Sequence, residues 1–106
     1  MTAVVAPGAE PGQWRLVNRT TTGADVLVQA EHRPAAAPWR RSLQRLRDSA
    51  GRLSVAATDD GHFRWVFTGE DGRVVAESPA AHRDAESCRL AFADAQRAAR
   101  IALNRG

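Results

Sequence analysis

The sequence predicts an α+β protein: two tandem β3α-type repeats that share one antiparallel sheet, with two helices packed on one face of it. Three observations lead there. The layout near the start of the chain returns 49 positions later, so that Gly12, Trp14, Arg15, Leu16 and Val17 are answered by Gly61, Phe63, Arg64, Trp65 and Val66, and Gly23 with Val26 by Gly72 with Val75. Short alternating apolar segments are separated by glycine-bearing turns at hairpin spacing. Two further stretches carry apolar residues at helical spacing, Trp39, Leu43 and Leu46 in the first and Cys88, Phe92 and Ala95 in the second, again at the same offset. Repeat one is expected over about residues 2 to 50 and repeat two over about 51 to 99, with 100 to 106 finishing the last helix. Half-units of this size must share one core, so the 106 residues are read as a single domain.

In the first unit, Ala3 to Ala6 reads as an edge strand, and the following Pro7, Gly8, Pro11 and Gly12 prevent continued pairing. Gln13 to Asn18 alternates, with Trp14 and Leu16 on one face and Arg15 and Val17 on the other. Thr20 to Gly23 turns into a strand from Asp25 to Ala30, and a loop rich in Pro and Ala, Arg33 to Pro38, leads to a helix. Pro38 suits the first turn of that helix, Trp39, Leu43, Leu46 and Ala50 point inward, and Gly51 is placed to end it. Trp39 on a buried stripe implies a loss of roughly 3 to 5 kcal/mol on truncation to Ala.

The second unit gives stronger local signals. Arg52 to Ala56 alternates, Asp59, Asp60 and Gly61 form a turn, and Phe63 to Thr68 places Phe63, Trp65 and Phe67 on one face. Gly69 to Gly72 turns again, with Asp71 and Gly72 suited to positive φ, into a strand from Arg73 to Ser78. After Pro79, Asp84 is a candidate N-cap for a helix from about Ala85 to Leu103 whose stripe is Cys88, Phe92, Ala95, Ala99 and Leu103.

The hydrophobic share of 43% and charged share of 25% are those of a globular chain, and no apolar run is long enough for a membrane span or a signal-peptide core. A cytoplasmic protein is expected, and the single cysteine, Cys88, excludes an intrachain disulfide. All fifteen basic residues are arginine, so a net charge of only +3 is enough to raise the pI to 10.9. The charge is uneven: residues 1 to 49 hold seven Arg against four acids, and 51 to 98 hold six Arg against eight.

With these elements in place, the stretch from Phe63 to Ser78, FRWVFTGEDGRVVAES, resembles the YegP-like family of small bacterial proteins built from tandem repeats of a domain of unknown function. It is similar to that family's aromatic-x-aromatic strand, glycine turn and following strand ending in Ser, and Cys88, Phe92 and Ala95 match its helix pattern loosely. The chain departs from the family in having Asp71 or Thr22 before the turn glycine and in containing no Tyr. The resemblance implies a shared sheet with helices packed on it and implies no activity.

The candidate surfaces follow from alternation. A meander that packs one face on its helix leaves the other open, and that open face is expected to carry Arg15 and Val17 with Arg64 and Val66, a repeated Arg and Val pair suited to a homodimer or another protein partner. Arg40, Arg41, Arg45 and Arg47 on the first helix form the alternative, a patch for an anion or nucleic acid, with Arg15, Arg19 and Arg33 nearby in the same unit. No aromatic interleaving or nucleic-acid motif accompanies it. His32, His62 and His82 lack metal-ligand spacing, although His32 and His82 fall near corresponding points of the two units. Cys88 lies on a buried stripe, Ser54, Ser78 and Ser87 lack a nucleophile elbow, and Asp59, Asp60, Glu70 and Asp71 fall in turns. The expectation is a non-enzymatic interaction or assembly module with no catalytic residue, metal, cofactor or small-molecule substrate.

Overall fold

A computed structural model describes residues 1–8, 13–31, 39–79 and 81–105. The elements run β1 (Ala3–Pro7), β2 (Gln13–Thr20), β3 (Gly23–Glu31), α1 (Trp39–Arg47), β4 (Gly51–Ala57), β5 (Phe63–Gly69), β6 (Val74–Glu77) and α2 (Ala85–Arg105). All strands join one six-stranded antiparallel sheet in the order β1-β2-β3-β6-β5-β4. Two meanders therefore meet at their third strands, through a β3 to β6 seam in which Gln29 faces Glu77. The expected Pro11 and Gly12 turn, the Arg33 to Pro38 loop and His32 lie outside the described residues.

The turns form where sequence chemistry demands them. Gly61 and Gly72 adopt φ of 82° and 81°, a region in which a Cβ would be strained. Asp71 does not share that conformation; its carboxylate instead accepts the Arg73 N–H at 3.1 Å and closes the turn from outside. At the end of α1, Ser49 takes the left-handed position with φ 54°, whereas Gly51, expected there, opens β4. A Cβ on Gly51 would meet the Thr68 carbonyl, so this glycine serves close strand approach.

Among the strands, the single offset of 49 holds only for the middle pair. Leu16 faces Val5 and Val28, whereas Trp65 faces Val55 and Ser78, so the flanking strands are displaced by 50 (55 − 5 and 78 − 28). For β6 the physical reason is turn length. Thr20 pairs with Gly23 across two residues, while the Gly69 N–H donates to the Arg73 carbonyl at 2.8 Å across three. The irregular steps also differ: Leu27 is the unpaired residue opposite β2 and Val75 the one opposite β5, and both add to the core.

One contiguous apolar cluster lies between the sheet and both helices. Trp14, Leu16, Val28, Trp65 and Phe67 enter it from the strands, Leu43 and Leu46 from α1, and Cys88, Phe92, Ala95, Ala98, Ala99 and Ala102 from α2. The α2 stripe is thus wider than expected, with Ala98 and Ala102 buried and Leu103 only half-buried. Its alanines allow close approach, and Phe92 fills the remaining space between Trp65, edge-on at 5.3 Å, and Phe67 at 5.4 Å.

The helices do not simply cover their own meanders. α2 lies across β1, β2 and β3 as well as β5, while α1 packs on β6 and α2. Gln96 of α2 ties the two helices together, its amide donating to the Leu46 carbonyl at 3.0 Å and to Ser49 Oγ at 2.5 Å. At the other end of α2, Asp84 accepts the Ser87 N–H at 2.7 Å as an N-cap, and that bond holds its carboxyl below the usual carboxylate range.

Trp39 is only half-buried, stacked under the Arg40 guanidinium at 5.1 Å, because it occupies the first turn of α1 at the rim of the core. The sequence expectation for its truncation is therefore too large. In urea denaturation, Trp65→Ala is expected to cost roughly 3 to 5 kcal/mol and Trp39→Ala about half of that. Asp84 contributes stability above its unfolded pKa and loses it as pH falls through its depressed folded value. Asp84→Ala is accordingly expected to lower the melting temperature near neutral pH, with the difference from wild type shrinking in acid when followed by circular dichroism.

Candidate functional site

Because both helices lie on one side, the opposite face of the sheet is where alternate side chains of every strand emerge. The register places a row of them side by side: Ala6, Arg15, Gln29, Glu77, Val66 and Ser54, in order across β1, β2, β3, β6, β5 and β4. Gln29 Nε2 donates to Glu77 Oε1 at 3.4 Å across the central seam. Val4, Val17 and Val26 form a second, apolar row on β1, β2 and β3, and none of the three joins the core cluster.

The expected Arg and Val pairs are on this face but are not one strip. The antiparallel seam sets Arg15 in the row of Val66, three strand spacings or roughly 14 Å away. Val17 is only 5% exposed, so it supports the face rather than offering itself to a partner. Both arginines are partly engaged by backbone. Arg15 donates through Nε and Nη2 to the Pro7 carbonyl at 3.2 and 3.1 Å, and Arg64 Nη2 donates to the Ser78 carbonyl at 2.7 Å. Sequence reasoning missed Gln29, Glu77, Val4 and Val26, because the seam that makes the first two neighbours and the bulge that sets the phase of β3 are both tertiary.

Beside Arg64 an open depression of about 490 Å³ is lined by Thr58, Asp59, Asp60, Arg64, Pro79 and Ala81. Its carboxylates are turn residues in part. Asp60 accepts from Thr58 Oγ1 and from the His62 N–H at 3.3 Å, and the Thr58 hydroxyl is the main reason its carboxyl titrates below the ordinary range. Among the described residues no group of three or more His, Cys, Asp or Glu is placed to hold a metal ion. His82 pairs through its backbone with Phe63, each N–H donating at 2.7 Å, and His62 sits beside Asp60. Burial pushes the Cys88 thiol up, away from nucleophilic character.

The α1 arginines divide into two kinds. Arg45 Nη1 lies 3.8 Å from Asp71, and Arg47 grips Asp48 through two bonds of 2.8 and 3.1 Å, so both face carboxylates already. Arg40 rests on Trp39, and Arg41 is exposed. The pairing follows from tertiary placement in one case, since Asp71 belongs to the β5 to β6 turn. No described helix is long and apolar enough to cross a membrane.

No protein-family model and no curated protein sequence matches this chain. Among solved structures, the solution NMR structure of yegP from E. coli, a protein of unknown function, matches 93% of this chain and 87% of its own with a TM-score of 0.68 at 14% identity. The chain thus has a YegP-like fold, and a likeness at that identity is one of fold alone.

Two α1 arginines without carboxylate partners among the described residues, Arg40 and Arg41, set the size of any phosphate interaction there. Titration with duplex DNA is expected to show weak binding, with log K falling by roughly 1.8 or less per tenfold rise in salt, since each phosphate contact contributes about 0.9. A steeper slope, abolished by Arg40→Ala with Arg41→Ala, would restore the nucleic-acid reading.

Proposed function

We propose that this protein is a non-enzymatic interaction module whose binding surface is the open face of its sheet. The observation that carries the reading is that both helices occupy the other side, leaving a surface six strands wide, with apolar Val4, Val26 and Val66 set among Arg15, Gln29, Glu77 and Arg64. Such a mixture of half-buried apolar groups and oriented polar groups suits a protein partner better than a small molecule, which needs an enclosed concave site. The depression beside this face is open, and Asp60 in it is engaged in a turn, which offers little to a catalytic reading.

The fold supports the reading in a second way. The meanders present the face as a rigid platform, because its strands are held from behind by a continuous core. Binding then requires ordering of few groups beyond the arginine side chains.

A photo-crosslinking amino acid at Ser54, on the open face, and separately at Arg41, on the outer side of α1, tests this in a cell extract. Adducts with a defined protein are expected from the Ser54 position and not from Arg41, and Glu77→Arg is expected to abolish them. Adducts from Arg41 alone would assign the interaction to the helical side.

A further inference from the structure

The two outer strands of the sheet are built differently. In β1, the register and the Gly8 N–H to Gln13 bond turn the backbone of Val4, Ala6 and Gly8 toward β2, so Ala3, Val5 and Pro7 face outward. Pro7 has no N–H to offer, and its carbonyl is occupied by the Arg15 guanidinium. The Pro7 end of that edge is closed to further pairing, which leaves Ala3 and Val5 as a short remnant.

The β4 edge has no such protection. Phe63 exchanges backbone bonds with His82, the Trp65 carbonyl accepts from the Ser78 N–H and the Gly69 N–H donates to the Arg73 carbonyl, so their partners Ala57, Val55 and Gly51 direct their backbone groups away from the sheet, as does Leu53. The Gly51 N–H is used by the Ser49 carbonyl, leaving the N–H and C=O groups of Leu53, Val55 and Ala57 as a row unpaired among the described residues. The strand pairs with β5 without a bulge from Gly51 to Ala57, contains no Pro, and carries one charge, Arg52. Its side chains Leu53 and Val55 are only half-buried at the rim of the core.

We propose that β4 is a homotypic docking edge, on which β4 of a second copy pairs antiparallel and joins two six-stranded sheets into one. The occupant follows from self-complementarity. A two-fold axis through Val55 sets Val55 against its own copy and Leu53 against Ala57, which uses all three outward-facing backbone pairs of each strand. It also joins the half-buried apolar rims. The same pairing brings Arg52 of each copy opposite Thr58 of the other, at the turn that holds Asp59 and Asp60. Arg52 and Asp59 are both exposed and have no ion-pair partner among the described residues, so each end of the strand meets the opposite charge. An unrelated extended peptide would satisfy the backbone row but not both charged ends. Edge pairing leaves the open face of both copies free, so it does not depend on the interaction proposed for that face.

Sedimentation equilibrium of the full chain tests the proposal, at concentrations up to about 0.5 mM, where a dissociation constant of about 1 mM registers. A reversible dimer is expected. Val55→Pro removes only an outward N–H and is expected to give a folded monomer by circular dichroism. Arg52→Glu is expected to weaken dimerisation roughly two- to thirtyfold, the range for two screened ion pairs, and Arg52→Glu combined with Asp59→Arg to recover it. A wild-type monomer at the highest concentration overturns the proposal, as does a dimer that persists in folded Val55→Pro or is lost instead on Glu77→Arg, which would place the contact on the open face. Should Val55→Pro fail to fold, the charge exchange decides, and failure of the double variant to recover association overturns the proposal.

Discussion

Burial of one face of α2 against both meanders is the constraint on which the rest of the structure depends. The seam between β3 and β6 is short, with Gln29 and Glu77 as its registered pair, and would hold the two halves of the sheet weakly by itself. α2 spans that weakness by lying over β1, β2 and β3 on one side and β5 on the other. Its alanines bring the backbone close to the strands, and Phe92 locks Trp65 and Phe67 beneath it. Each half contributes a helix that packs beyond its own strands, so neither half buries its apolar surface alone. Inside this core the Trp65 indole N–H has no partner among the described residues, a polar cost that the ring's apolar contacts outweigh.

That arrangement also decides which surfaces the helices leave uncovered. With both helices on one side, the other face of the sheet is left to side chains alone, and its character is set by register across strands. Arg15 and Arg64 look from the sequence like free guanidiniums on matched positions. Each instead reaches a carbonyl near the end of a strand, Pro7 or Ser78, and so serves the sheet as well as its surface. The same dual use closes the Pro7 end of β1, while among the described residues nothing comparable guards β4.

Much of the fold was legible in the sequence because its determinants are local. The alternation of Trp14 with Leu16 and of Trp65 with Phe67, the glycines at 61 and 72, Asp84 before α2 and the Leu43 and Leu46 spacing each encode one element, and each is where the pattern put it. The misreadings arise where a contact is distant. Gly51 looks like a helix stop but exists for the close approach of Thr68, and Ser49 carries the left-handed turn, its hydroxyl accepting from Gln96. Trp39 belongs to the helical stripe by spacing and to the rim by position. Of the candidate surface, Arg15, Arg64 and Val66 were identifiable by period-2 alternation, and Gln29 and Glu77 were not, since only the seam makes them neighbours.

The α+β class, the order of strands and helices, and most of the inward-facing residues are legible from the chain alone, because propensity, turn chemistry and periodicity act over a few residues. Only the tertiary structure decided how the parts meet. One turn is a residue longer than its counterpart, and a bulge falls at Leu27 in one half but at Val75 in the other, so strands of similar pattern acquire different registers. The route of α2 across both meanders, the separation of Arg15 from Val17 in function, and the contrast between a partly closed and an open sheet edge all follow from those registers. They are properties of hydrogen-bond pairing between distant segments, which no local reading of side chains specifies.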